Sequence, residues 1–541
     1  MIRCRHLLLP IILILFTGCA TYSQRIDKAT AAFRSGDYEF AGKEIEKELD
    51  AERHKLLRLM ELGVIYHEWE KYEESNRFLE EAYQLAESFY GVSVQELLLR
   101  IGTKADMRPY RSEVFEKIYI HYYKILNYTL LARKTKERGE RQKLLDSVRV
   151  EARRAELLLG AHEAKVGSYA DAKERNQHVL AKLIRFFELL NGETIHSRDY
   201  IFRNNAFLHY MMGVVYEEYG ELDNARISYE KSATIYAEGY VKQYQLDPKM
   251  TDQAYFDAAR ILKSQKDNRW QELAQKIKDA SLRKSLESYK PAKEGSLLIL
   301  QEVDMSSPKG ELNLYMRLNL HTERLEIYPI PLGSPEERNQ QAVWFYSLYA
   351  PRGILDIIQI IRNEKSFSLD AKTIFVRGIL PIIKDVEGLT EALETGVRLT
   401  VPMYYYKDAP FNSTISVDGR PTGPMMDADN ITALHLSNAL ASAKNELTES
   451  MAVETFKLSA CVMTGLPPEI CSILTSGTNS ADTRSWLTLP HSIRVQRLFL
   501  PAGSHEITIL NHSGSHRSEV SSAVELEAGK QEILRIRSMK P

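Results

Sequence analysis

The chain has 541 residues, of which 44% are hydrophobic and 27% are charged, a composition that excludes a disordered protein. Its length predicts about three folding units. Lys plus Arg (71) nearly equals Asp plus Glu (73), and no basic block stands out, so a nucleic-acid partner is not expected.

The N-terminus has the form of an export signal. Arg3 and Arg5 precede an apolar run, Leu7 to Phe16. As a helix this run would rise about 15 Å, half of a bilayer, so it is too short to span and has the length of a signal-peptide core.

The end of this run, Phe16-Thr17-Gly18-Cys19, resembles the lipobox of bacterial lipoproteins, in which the cysteine thiol takes a diacylglycerol. The resemblance implies a signal peptide (1–18), acyl chains on Cys19 that hold the protein in a membrane, and a lipidated tether (19–25). Ala20 follows the cysteine, which by the enteric sorting rule favours the outer membrane, facing the periplasm. A plain secretory signal or a buried cysteine is the alternative.

Cys461 and Cys471 are the other cysteines outside the signal. Gly465, Pro467 and Pro468 lie between them and turn the chain, so a disulfide is geometrically feasible in an oxidising compartment. Two unpaired buried thiols are the alternative.

Three segments of the first half share one spacing of small and aromatic residues. The two longer ones agree at every offset, and the first precedes the second by 34 residues. This pattern resembles the tetratricopeptide repeat, a helix-turn-helix unit, and predicts a helical repeat domain over 26–288. The signature residues are Gly36, Tyr38, Ala41, Gly63, Tyr66, Tyr72, Ala82, Gly213, Tyr216, Gly220, Ala225 and Tyr229.

Physical reasons accompany this choice of residues. Gly63 and Ala41 are expected where paired helices cross closely, and Gly36 and Gly220 where a left-handed residue ends the first helix. Glu70 stands at the corresponding turn of the second repeat, which is therefore expected to close differently. Such arrays commonly bind a protein or peptide in a concave groove; the alternative is that the aromatic residues only fill the core.

The second half is rich in strand patterns. "ELNLYMRLNL" (311–320) alternates apolar and polar residues and predicts a half-buried strand. "LLILQEV" (297–303) and "RLEIYPI" (324–330) are expected beside it. Helices are predicted over 354–362 and about 429–457, the latter capped by Asp429. We assign 295–480 to a mixed β-rich domain and 481–541 to a C-terminal β module built of two strand–turn–strand units.

The sequence thus predicts an α+β multidomain fold: an N-terminal all-α tetratricopeptide-like solenoid, a mixed α/β, β-rich domain and a C-terminal small β-sandwich. The lipobox, the repeats and two further stretches, 108–131 and 481–505, occur together in this order. The combination resembles a family of uncharacterised tetratricopeptide-repeat bacterial lipoproteins, often encoded near lipoproteins that activate penicillin-binding proteins. The resemblance implies envelope or cell-wall work without naming an activity.

Two short stretches supply candidate interaction residues. In "DTRSWLTLP", Asp482 and Arg484 can pair, with Trp486 two positions further on; Trp beside Arg is a common interface anchor. Arg108 and Tyr110 belong to the other stretch. Capping a core is the alternative role for Trp486 with Arg484, and Tyr110 can pack.

No catalytic or cofactor-binding pattern was found. There is no HExxH, GxSxG or P-loop, and no Cys/His set suggests a metal. The leading hypothesis is a non-enzymatic envelope scaffold without a cofactor, with an envelope protein or peptide in the repeat groove. A hydrolase of peptidoglycan or another envelope polymer, with a site in 295–480, and a secretion or export accessory protein are the alternatives.

Overall fold

A computed structural model describes residues 21–89, 105–167, 201–289, 294–348, 371–376, 380–385 and 388–540. Among these residues, the first half is helical, and the second half contains three sheets and further helices. The predicted mixed fold with a helical N-terminal region is therefore confirmed. The predicted signal peptide, Cys19 and the predicted helix 354–362 lie outside the described residues.

The N-terminal helices form an array in which most consecutive helices pack against each other, and α9 packs against α11. They are α1 (Tyr22–Arg25), α2 (Asp27–Ser35), α3 (Tyr38–Glu48), α4 (Lys55–Glu68), α5 (Tyr72–Ser88), α6 (Val114–Lys134), α7 (Arg138–Val166), α8 (Ala206–Glu218), α9 (Leu222–Ile235), α10 (Val241–Tyr244), α11 (Lys249–Ser264), α12 (Trp270–Lys276) and α13 (Ala280–Ser288). Short 3₁₀ turns cover Glu52–His54 and Ala105–Met107.

The predicted tether is shorter than expected. Residues from Tyr22 onward are helical, and the Tyr22 side chain is only 4% exposed. Its hydroxyl donates to Glu61 at 2.9 Å, and its backbone N–H donates to Thr483 at 3.1 Å. Since these contacts fix the chain at Tyr22, only 19–21 can act as a tether.

Each of the two longer repeat segments contains a close crossing of its two helices, at the same position of the repeat. A Cβ added to Gly63 would lie 2.4 Å from the Leu79 side chain, and one added to Gly213 would lie 2.6 Å from the Tyr229 ring. Leu79 and Tyr229 are each sixteen residues beyond their glycine. The predicted reason for glycine at both positions, a close crossing of paired helices, is confirmed.

The other signature positions pack as the pattern predicts. Tyr38 and Tyr66 are half-buried, with ring centroids 5.8 Å from Phe33 and 5.0 Å from Phe78. The remaining signature residues within the helices are buried: Ala41, Tyr72, Ala82, Tyr216, Ala225 and Tyr229.

All three repeat turns close in the same way, which corrects the expectation for Glu70. Gly36 and Gly220 have φ of 81° and 73°, and Glu70 adopts 58°. In each turn the next residue donates its N–H to the carbonyl five positions earlier; for Lys71 this acceptor is Tyr66, at 3.0 Å. The hydrogen bonds of the turn thus hold even a glutamate in the left-handed region.

The strands described in the second half form three four-stranded sheets. Their strands are β1 (Glu294–Val303), β2 (Lys309–Asn319), β3 (Arg324–Pro329), β4 (Lys372–Phe375), β5 (Val397–Tyr404), β6 (Asn412–Val417), β7 (Arg420–Pro424), β8 (Met426–Asp429), β9 (Ser492–Pro501), β10 (Gly503–Ser513), β11 (His516–Leu526) and β12 (Gln531–Ser538). Sheet I has the order β12-β1-β9-β8, sheet II β4-β3-β2-β5 and sheet III β11-β10-β6-β7.

The predicted boundary between 295–480 and 481–541 does not separate independent units. Strand β1 pairs with β9 and, in parallel, with β12, while β10 pairs with β6. The expected strand–turn–strand units also divide, because β9 and β12 belong to sheet I whereas β10 and β11 belong to sheet III. Strand β3 pairs with β2 as predicted. Strand β1, which was also expected beside β2, does not pair with it.

The second half also contains helices α14 (Pro335–Ser347), α15 (Leu380–Asp385), α16 (Leu389–Thr395), α17 (Ile431–Val462) and α18 (Pro468–Ser476). The cap of α17 is Asn430 and not Asp429, because the Asn430 side chain accepts the N–H of Ala433 at 2.9 Å. Asp429 instead ends β8.

Sheet I lies between the helical array and sheet III. Leu298 and Leu300 of β1 pack into the core shared with the helices, whereas Leu297 and Ile299 pack into a smaller core shared with sheet III. A third core lies between sheet II and α17. The first of these cores brings the array and the C-terminal half together and defines the groove described next.

Candidate functional site: the groove of the helical array

Residues 482–489, here called the groove segment, lie against the inner side of the helical array. They form no helix or strand, yet residues 484–489 are all buried. A buried irregular segment must find partners for its backbone N–H and C=O groups. The helices supply several of them.

Glu61 of α4 is the central acceptor. Its Oε1 accepts the N–H of Leu487 at 2.9 Å, its Oε2 accepts the N–H of Thr488 at 3.0 Å, and the Tyr22 hydroxyl adds a third bond. The residue is fully buried. Burial raises the pKa of this carboxyl, and the bonds from the groove segment and Tyr22 oppose the rise.

Glu116 of α6 is a second buried acceptor. It receives the Tyr110 hydroxyl at 2.9 Å, the N–H of Glu113 at 2.8 Å and the N–H of Trp486 at 3.4 Å. Burial, with Glu113 nearby, raises its pKa to about 7. His435 lies 3.9 Å away, and its own burial lowers its pKa to about 3, so it is neutral beside Glu116.

Arg484 closes the end of the groove. Its Nε and Nη2 donate to Asp482 at 2.8 and 2.6 Å, and its Nη1 donates to the carbonyl of Arg108 at 2.9 Å. The guanidinium lies 5.6 Å from the Tyr110 ring centroid. The Arg484 guanidinium also donates hydrogen bonds to the carbonyls of Arg53 and Ala105, which belong to the two 3₁₀ turns.

The five candidate interaction residues therefore come together, but not on an exposed surface. Trp486 is 0% exposed, Arg484 2% and Tyr110 5%, and Arg108 takes part through its carbonyl. Tyr110, Arg484 and Trp486 make contacts within the chain, and their environment is that of the core alternative. That the five residues anchor an external partner stays a prediction.

Sheet I packs against the helical array beside the groove segment and is held there by buried ion pairs. The binding of an envelope protein or peptide in the repeat groove stays a prediction. Arg535 of β12 pairs with Glu68 of α4 and with Glu302 of β1, the latter at 2.5 Å. Arg497 of β9 pairs with Glu217 of α8 at 3.0 Å.

A third buried carboxylate, Asp429, joins strand β8 to the array. It accepts the hydroxyls of Tyr119 at 2.6 Å and Tyr240 at 2.9 Å, and the side-chain amide of Asn205 at 2.8 Å. Burial raises its pKa, and these donors oppose the rise. Neither this role nor the ion pairs of sheet I was predicted from the sequence.

Comparison with known proteins adds no assignment. No protein-family model matches the chain. No curated protein is significantly similar to it. The resemblance to tetratricopeptide-repeat lipoproteins therefore stays a prediction from the motifs.

Three further findings concern the cysteines, membrane-spanning helices and metal ions. Cys461 and Cys471 are joined by a disulfide, with 5.6 Å between their Cα atoms. No helix in the described part of the chain is both long and apolar enough to cross a bilayer. Among the same residues, no group of three or more His, Cys, Asp or Glu side chains is placed to hold a metal ion.

Proposed function

We propose that this chain is an acylated lipoprotein of the bacterial envelope that acts as a non-enzymatic scaffold for protein–protein interaction. Cys19 carries the acyl chains, in the outer membrane and facing the periplasm, and the scaffold serves cell-wall or envelope assembly. The array is a tetratricopeptide-like solenoid, and sheets I and III form a β-sandwich. The lipobox and the shared geometry of the repeat turns support these assignments.

The observation that carries the proposal is how the array holds the groove segment. Glu61 receives two consecutive backbone N–H groups, of Leu487 and Thr488. Main-chain contacts of this kind recognise a polypeptide and not a small molecule. The array thus has the chemistry of a polypeptide-binding scaffold and uses its inner face within the chain.

An external partner then has to bind the outside of the array. Val150 and Leu157 of α7 are 47% and 74% exposed, and they lie seven residues apart on one helix. We place the partner surface on this side of α7. The apolar core between sheet II and α17 supports a scaffold over a hydrolase, because the described residues there bury aliphatic side chains such as Leu312 and Leu399.

Two measurements test the proposal. A Cys19→Ser chain should leave the membrane fraction of cells; a chain that stays there would contradict acylation. Photoreactive residues at Val150 and Leu157 should each form an adduct with the same envelope protein, whereas one at Leu332, 55% exposed in the second half, should not. Equal labelling at all three positions, or none, would contradict a scaffold surface on α7.

A further inference from the structure

The end of α17, the following turn and α18 form a helical hairpin, residues 456–476, here called the stapled hairpin. The Cys461–Cys471 disulfide joins its two helices. Cys471 is fully buried, whereas residues 463–467 of the turn are exposed. The bond therefore fixes the hairpin while its turn faces outward.

Large apolar side chains cover the outer side of the stapled hairpin. On α18, Ile470, Ile473 and Leu474 follow the spacing of one helix face. Elsewhere in the described ranges, each helix, strand or loop carries at most two exposed large apolar residues. The members of this apolar face, with their exposed fractions, are Phe456 48%, Met463 61%, Leu466 42%, Ile470 46%, Ile473 39% and Leu474 54%. An exposed cluster of this kind marks an interaction site.

Charge is almost absent from the same stretch. Residues 458–481 contain a single charged residue, Glu469, in a chain that is 27% charged. Glu454 and Lys457, which precede the stretch, pair with each other at 2.7 Å. A protein partner would normally be met by a polar rim, whereas a hydrocarbon phase favours a surface without charge.

The stapled hairpin is connected by a short path to the point where the described chain begins. Arg398 donates to the carbonyls of Ser476 and Asn479 at 3.0 and 3.1 Å, which fixes the chain leaving α18. Seven residues beyond Ser476, Thr483 accepts the N–H of Tyr22. Seven residues reach at most about 25 Å, and the three from Cys19 to Tyr22 at most about 11 Å.

We propose that the stapled hairpin inserts its apolar face into the bilayer that carries the acyl group, as a second attachment of the protein to the membrane. This inference rests on the proposed acylation of Cys19, which places a bilayer within reach of the hairpin. The acyl chains of a diacylglycerol already give a stable attachment, and the hairpin adds a second contact with the same bilayer. The hairpin also fixes which side of the protein faces the lipid, which acyl chains on a short tether do not.

Depth-dependent quenching tests the insertion on the full acylated chain. Ile473→Trp and the control Ile227→Trp, at a 50% exposed position of α9, are reconstituted into vesicles of phosphatidylethanolamine and phosphatidylglycerol with brominated acyl chains. The added fluorescence of Ile473→Trp should be quenched severalfold more than that of Ile227→Trp. Equal quenching of the two variants would overturn the proposal. Protection of the Ile473→Trp fluorescence from both bromine and aqueous acrylamide would also overturn it, because protein and not lipid would then cover this position.

A second comparison separates the hairpin from the acyl group. In a Cys19→Ser chain, residual vesicle flotation should fall at least fivefold on adding Ile470→Glu and Leu474→Glu, but not on adding Ile227→Glu. Undiminished flotation overturns the insertion and leaves acylation standing. If the glutamates instead change the oligomeric state without changing flotation, the face binds a second copy and the proposal is wrong. Cell fractionation of Cys19→Ser alone judges the acyl anchor separately.

Discussion

The carboxylate of Glu61 accepts the backbone N–H of Leu487 at 2.9 Å, although 426 residues separate them along the chain. This contact ties the second helical pair of the array to the groove segment. It gives a hydrogen-bond acceptor to the buried N–H of Leu487, which belongs to no helix or strand. Part of the stability of the groove therefore depends on this side chain of α4.

Glu61→Gln should lower the free energy of unfolding by about 1–3 kcal/mol, because its NH₂ group turns one acceptor into a donor and leaves a buried N–H unpaired. The midpoint of urea unfolding measures the effect. Glu73→Gln, at an exposed position in the first turn of α5, is the control and should change stability by less than about 0.5 kcal/mol. Equal midpoints for both variants would show that the groove contact contributes nothing.

Gly213→Ala should destabilise the protein although alanine is the better helix former by about 1 kcal/mol. The new Cβ would meet the buried Tyr229 ring at 2.6 Å, and such overpacking costs about 1–3 kcal/mol. Gly160→Ala in α7 is the matched control, because nothing lies within 4 Å of its Cβ position. It should raise the thermal midpoint while Gly213→Ala lowers it; a shift of the same sign in both would contradict the close crossing.

The left-handed turns predict opposite effects at equivalent positions. Gly36→Ala should cost about 1–2 kcal/mol, since φ is 81° and no steric contact is involved. Glu70→Gly should instead stabilise, by less than about 1 kcal/mol, because it relieves the same conformation and loses only an exposed ion pair with Lys134. Urea midpoints that move together would show that the two turns are not equivalent.

Glu116 predicts a pH dependence of stability. Burial, and then the charge of Glu113, raises its pKa from 4.5 to about 7. Because the folded state holds the proton more tightly, the stability from this group is complete below pH 4.5 and is lost as the pH rises through about 7. The total loss is roughly 3 kcal/mol.

Glu116→Gln removes this titration. The unfolding free energy of the natural chain should therefore fall more than that of the variant between about pH 5 and about pH 8. Measuring both proteins at each pH cancels the contributions of the other carboxylates. Parallel pH profiles would mean that Glu116 is not protonated in the folded protein at low pH.

Local patterns predicted local structure well. The spacing around Gly63 and Gly213 indicated two helical pairs, and the alternation in 311–320 indicated β2. Pairing across the chain was not predictable in the same way, because β1 carries the same apolar pattern whether its neighbours are β2 or β9 and β12. Hydrophobic periodicity specifies which face of a strand is buried, but not which strand covers its edge.

The groove left weak signals in the sequence. Glu61 is a lone acid between Leu59-Met60 and Leu62, which is unusual in an apolar helix. Arg535 and Arg537 occupy alternate positions of the last strand and so share one face. Each of these three residues indicates a buried partner, but the sequence does not identify that partner. Glu68, for example, lies 467 residues before Arg535.

The groove also determines when folding can be completed. Glu61, Glu116 and Glu68 each receive at least one donor from residues 486–537, which are synthesised after the array. Until those residues arrive, closing the helices around unpaired carboxylates would cost several kcal/mol per charge. We expect the helices to close around these carboxylates only after residues 486–537 have been synthesised. A chain that ends before residue 486 would leave the carboxylates without those donors.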